Sequence, residues 1–177
     1  EKIEECVDKI DLSVQHLSEL VNDVLDMSKI ESGYLELQND TFDLNTLIDQ
    51  VEVVVSAQVE AMEISYESHR EKVNHTHLIG NPLHLRQIML NLFSNAIKYN
   101  KRGGRIDTYV KELSFDGMCA AFEFRITDTG VGMSREYIKE ELFKPFTQEI
   151  NDARTQYKGT GLGMSIVKGL VEKMGGT

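Results

Sequence analysis

The stretch GTGLGMSIVKGLVEKMGG, residues 159–176, alternates three glycines over five positions and then runs into an apolar-periodic segment. So much backbone freedom at a helix start needs a reason. A P-loop requires Gly-Lys-Ser/Thr where the chain reads Gly163-Met164-Ser165, so that phosphate cradle is excluded. A dinucleotide fingerprint requires a glycine where Ile166 stands, and it is excluded too. Two readings remain. One is an anion site, in which bare amides and the positive end of a helix converge. The other is a flexible loop leading into a surface helix.

Upstream, residues 134–158 are polar, with scattered aromatics and no clear period. They read as a long loop, and loops of that length in compact domains commonly serve as lids. Before them, ITDTGVGM carries an apolar strand into Asp128, followed by Gly130 and Gly132. An Asp at a strand end can accept a hydrogen bond from an exocyclic amine, and glycines let a flat ring approach the backbone. An ordinary tight turn after a hairpin has the same composition. Further back, NLFSNAIKYN sets Asn91, Asn95 and Lys98 at spacings of four and three, on one non-apolar helix face. Carboxamides are poor helix formers in mid-helix, and a carboxamide oxygen suits Mg2+. A solvated polar face is the alternative.

The rest of the chain frames these segments. Pro82 opens a periodic helix through Leu85, Ile88, Met89, Leu92, Phe93 and Ala96, ending near Asn100. RIDTYVKELSF and MCAAFEFRITDTG read as a hairpin about Asp116-Gly117. Asp43 caps a helix with Leu44, Leu47, Ile48, Val51, Val55 and Met62 on or near one face. YLELQND (34–40), EISYES (63–68) and HTHLIG (75–80) read as strands. His75 and His77 would share a strand face there, as metal ligands or as a polar edge. At the start, Ile3, Val7, Ile10, Val14, Leu17, Val21 and Val24 alternate by fours and threes, a heptad seam beside a second stripe of Cys6, Leu20 and Met27. Such a helix runs about 45 Å and needs partners to bury its seam.

Composition narrows the function classes. The chain has 177 residues and a net charge of −10, from 19 basic and 29 acidic side chains. Nucleic acid or an anionic membrane is therefore excluded as the main partner. Cys6 and Cys119 have no metal spacing and fit a reduced compartment, which makes the Asn-x-Thr triplets at Asn39 and Asn74 coincidental. There is no long apolar run and no signal-peptide pattern, and the first residue is Glu rather than Met, as in a piece of something longer.

Taken together and in order, these segments resemble the ATP-binding domain of sensor histidine kinases, of the Bergerat-fold superfamily shared with gyrase and mismatch-repair ATPases. Asn91–Lys98 resembles the N box, Asp128-Thr-Gly130-Val-Gly132 the first glycine box, Phe143-Lys-Pro-Phe146 the F box, and Gly159-Thr-Gly161-Leu-Gly163 the second glycine box. Residues 1–32 resemble the second helix of the dimerisation and histidine-phosphotransfer domain, and residues 33–177 the catalytic domain. The resemblance implies an α/β sandwich, with a mixed sheet covered on one face by helices near 44–62, 84–99 and 164–174, and a long bundle helix in front. Family members continue past VEKMGGT with two further strands, which this stretch lacks.

The resemblance also implies ATP and Mg2+ as the bound species. Asp128 would read the adenine amino group, with Gly130 and Gly132 beside it and Tyr99 near the ring. Asn95 would hold the metal, with Asn91 and Lys98 at the metal and phosphates. Gly159, Thr160, Gly161, Leu162 and Gly163 would form the lid hinge and offer amides to the phosphates, with Phe146 of the F box alongside and Arg154 at the γ-phosphate. Hydrolysing superfamily members carry a Glu at the position of Asn91, and a neutral amide cannot act as a general base toward water. The implied activity is thus phosphoryl transfer to a histidine outside this segment, in a cytoplasmic homodimer built on the N-terminal helix, with onward transfer to a response regulator. Membrane attachment would come only through other segments. None of His16, His69, His75, His77 and His84 sits in the family's acceptor context. A nucleotide-binding dimerisation module without transferase activity, and an ATP-hydrolysing Bergerat-fold protein, are the alternatives.

Overall fold

The computed structural model describes residues 2–149 and 159–177. Its elements are helix α1 (Lys2–Glu31), strand β1 (Asp40–Asp43), helix α2 (Leu44–Ala61), strands β2 (Ser65–Glu71) and β3 (His77–Gly80), helix α3 (Pro82–Lys98), strands β4 (Arg105–Phe115) and β5 (Ala120–Asp128), and helices α4 (Arg135–Glu140) and α5 (Gly163–Lys173).

Local chemistry accounts for the helix starts. The Asp43 carboxylate accepts from Thr46 N–H at 2.8 Å and starts α2. Asn81 does the same for α3, accepting from His84 N–H at 2.8 Å, with Pro82 in the first turn where no amide donor is needed. The Asn81 amide also donates to Gln38 O at 2.9 Å, tying the segment before β1 to the head of α3.

The sheet differs in one respect from the single mixed sheet expected. β2 runs parallel to β4, and β4 antiparallel to β5, whereas β1 and β3 form a separate antiparallel ribbon. Each ribbon strand has four residues because a helix cap follows almost at once: Asp43 ends β1, and Asn81 follows β3. The expected strand over 34–40 is irregular up to Asp40. Its alternating Leu35 and Leu37 pack into a hydrophobic cluster rather than pairing as a strand.

The described residues form two cores. The inner faces of α2 and α3 (Leu47, Val51, Val55, Met89, Phe93) meet Ile106 and Val110 of the main sheet, and these side chains are buried. The second core joins α5, the back of α3, Leu35 and the end of α1, through Leu162, Ile166, Leu170, Ile88, Met27 and Ile30. Thus α2 and α3 line the sheet, while the buried face of α5 belongs to this second cluster. The last turns of α1 dock there. Val7, Ile10, Val14, Leu17, Val21 and Val24 farther up α1 stay exposed.

Candidate nucleotide site

One face of α3, the end of β5 and the head of α5 enclose a cleft of about 670 Å3. Asn91, Asn95, Lys98 and Tyr99 come from α3 and its end, Asp128 and Gly132 from the turn after β5, and Gly159, Thr160, Gly161 and Gly163 from the head of α5. Three of the four motifs, far apart in sequence, are brought to one surface by the fold.

The first glycine turn is stapled to the end of α3. Gly130 N–H donates to Asp128 Oδ1 at 2.8 Å, and Val131 N–H to Tyr99 O at 3.1 Å. Thr129 Oγ1 accepts from Arg105 N–H at 2.9 Å and donates to the buried Asn100 Oδ1 at 3.2 Å. A side chain on Gly130 would collide with the Tyr99 carbonyl and lie 2.7 Å from Asp128 Oδ1, so only glycine lets the turn close. Gly130 shapes the site from beneath rather than lining it.

The second glycine stretch is held by the F box. Phe146 N–H donates to Gly161 O at 3.0 Å, and Gly161 has φ +72°. A Cβ on Gly161 would stand 2.8 Å from Phe146 C and Thr147 O, so two backbones cross in contact. Phe146 itself has φ +62°, and its exposed ring is not among the lining groups. Phe146 is expected beside the ligand; its side chain does not line the cleft, and its backbone N–H holds Gly161. Leu162 is expected to act through its amide, and its side chain is elsewhere. Its side chain is wholly buried in the second core, because the first turn of α5 must face α1 and α3, so only its backbone is near the cleft.

Lys98 brings a cation into the cleft. Its ammonium lies 5.1 Å from the centre of the Tyr99 ring and against Gly159, and burial pushes its pKa below the usual lysine range. A polyphosphate beside it would favour the charged form. The Asn91 carboxamide oxygen stands 3.4 Å from where a Gly163 side chain would begin. Arg154 falls in 150–158, outside the described residues.

Sequence reasoning missed several groups. Tyr137, Thr147, Gln148 and Glu149 line the cleft from the segment read as a long loop, and Met133 from just before it. That segment contains α4, capped by Ser134, whose Oγ accepts from Tyr137 N–H at 3.2 Å. The Ser-x-x-Tyr start was legible, and the absence of apolar period hid it because no α4 residue is buried. Asp23 of α1 also lines the cleft. No local signal marks it.

Elsewhere, His75 and His77 do not share a strand. His75 Nδ1 pairs with Glu112 Oε1 at 2.8 Å and His77 Nδ1 with Asp43 Oδ2 at 3.0 Å. Among the described residues, Glu67, His69 and Asp107 cluster on the outer sheet face, where Arg105 already bridges the two carboxylates at 3.0 and 2.7 Å. That cluster is an ion-pair network.

Comparison with known proteins adds the following. Residues 80–177 match the family described as histidine kinase-, DNA gyrase B-, and HSP90-like ATPase. The chain is 33% identical to the sensory/regulatory protein RpfC of Xanthomonas campestris pv. campestris, over 98% of this chain and 24% of that protein. It is 35% identical to the signal transduction histidine-protein kinase BarA of Escherichia coli K12, over 94% of this chain and 18% of BarA. The chain therefore spans a quarter or less of these relatives. The solved structure of full-length ShkA in complex with AMPPNP superposes with a TM-score of 0.78 at 27% identity, over 99% of this chain and 35% of that one.

Proposed function

This chain belongs to the family of histidine kinase-, DNA gyrase B- and HSP90-like ATPases, and from that membership we propose that it is the catalytic part of a sensor histidine kinase. The observation that carries the proposal is the convergence of Asn91, Asn95, Lys98, Asp128 and the second glycine stretch on one cleft, above a turn that admits only glycine at position 130. In this reading residues 1–32 are a dimerisation helix and 33–177 the catalytic domain.

The donor set fits Mg-ATP. Asp128 accepts from the adenine amino group, with Tyr99 and Gly132 beside the ring. The Asn95 carboxamide oxygen is a hard ligand suited to Mg2+, which would supply neutralisation of phosphate charge. Asn91, Lys98 and the amides of Gly159–Gly163 orient the triphosphate, with Arg154 at its γ end. Transfer needs positioning and charge neutralisation rather than covalent help from the protein. A histidine nitrogen from outside this segment attacks the γ-phosphorus, the bond to the bridging β–γ oxygen breaks, and ADP leaves. A response regulator would receive the phosphoryl group next. Asn91, an amide, offers water no general base, which favours this reading over hydrolysis.

The test is incubation of the full-length protein containing this segment with γ-labelled ATP. Label on a histidine, lost in acid and stable in base, is expected. Rapid release of free phosphate with no labelled histidine would replace the proposal with the hydrolase reading, and nucleotide binding without either would leave a binding module.

A further inference from the structure

Thr160 shares the cleft with a residue from the far end of the chain. Its hydroxyl donates to Asp23 Oδ2 at 3.1 Å while accepting from Leu162 N–H at 3.0 Å. Asp23 belongs to α1, yet it lines the same cleft as Asn91, Asn95, Lys98 and Gly159–Gly163. Its position is held by docking. One helical turn on, Asp26 Oδ2 accepts from the Gln87 side chain of α3 at 2.6 Å. One more turn on, Ile30 sits on Gly169 of α5, its Cγ2 only 2.6 Å from where a Cβ there would stand. Met27 and Ile30 complete the apolar contact. Residues 23, 26, 27 and 30 share one face of α1, so Asp23 enters the cleft whenever this face is docked.

A carboxylate there has a definite chemical effect. An ionised carboxylate only accepts hydrogen bonds, as do phosphate oxygens. Asp23 and a polyphosphate therefore compete for the Thr160 hydroxyl and repel each other across a partly desolvated cleft. We propose that Asp23 of α1 is an electrostatic gate on the nucleotide cleft: with α1 docked, its carboxylate holds Thr160 and lowers the affinity for polyphosphate, not for the purine. Any displacement of α1 then raises nucleotide affinity, and by linkage bound nucleotide loosens the docking of α1. This rests on the nucleotide reading of the cleft given above.

The experiment is titration calorimetry on the full chain with Mg-AMPPNP and, separately, with adenosine, for wild type, Asp23→Asn and Asp23→Ala. Removing one carboxylate from the phosphate end is expected to tighten Mg-AMPPNP by roughly three- to tenfold in both variants and to leave adenosine unchanged. Equal tightening of adenosine would overturn the gate, because the effect would then be steric. Weakened Mg-AMPPNP binding would also overturn it, making Asp23 a metal ligand. If wild type and variants bound neither compound, the nucleotide reading would fall, and the gate with it.

Discussion

At the residue scale, the cleft assigns separable duties to side chains of similar polarity. Asp128 ends β5 with one carboxylate oxygen engaged by the Gly130 amide, which orients the group without consuming its acceptor capacity. Asn95 lines the cleft on α3, and in the proposed reading its amide oxygen holds the metal. Asp128→Ala should therefore reduce adenine-nucleotide affinity by at least tenfold whether or not metal is chelated. Asn95→Ala should do so mainly in the presence of Mg2+. Calorimetric titration with and without chelator separates the two, and equal losses for both variants under both conditions would refute the division of labour. The motif residues themselves were readable from sequence, but their mode of action was not always so. Phe146 sits in a family box, yet its ring does not line the cleft and its backbone N–H holds Gly161.

At the scale of elements, helix starts govern where strands stop and where the site begins. Asp43 is the clearest case. The Thr76 hydroxyl, the Thr46 amide, the Thr46 hydroxyl and His77 all favour its charged form, outweighing partial burial, and hold its pKa at about 2 against 3.8. A depressed carboxylate stabilises the fold fully above its unfolded value and loses that contribution as pH falls through its folded value. Asp43→Ala should thus lower Tm by roughly 2–4 °C near neutrality. The gap between the two proteins should begin to narrow below pH 3.8 and close near pH 2. Thermal melts at a series of pH values check this. A gap that stayed constant down to pH 2 would mean that the carboxylate contributes no charge-dependent cap. The cap was legible as Asp43 before an apolar-periodic run. Its partners on the β3 side, Thr76 and His77, were not, because they meet Asp43 only through the ribbon pairing of Asp43 with His77.

At the scale of the whole molecule, α1 has two faces with different fates. Its last turns pack, partly buried, against α3 and α5, while the seam from Val7 to Val24 remains exposed, between 45% and 61% at each seam position. Six exposed apolar side chains at heptad spacing are what a second copy of the helix would cover. On the proposed dimer, Leu17→Asp should shift the protein to monomer in sedimentation, while adenine-nucleotide affinity per chain stays unchanged. Retention of the dimer would remove the seam from the interface. The sequence by itself determined the class of fold, the seam, the capped helices and the four motifs, because each depends on residue type at short spacing, where period and backbone freedom act locally. Only the tertiary structure decided the rest. It separated the β1–β3 ribbon from the main sheet, turned Leu35 and Leu37 into core, laid the Phe146 backbone on Gly161 and carried Asp23 to Thr160. Each of these joins residues distant in the chain, and such contacts are set by which apolar faces find one another when the cores close. The side chains at either end of a contact carry no mark of the partner they will meet.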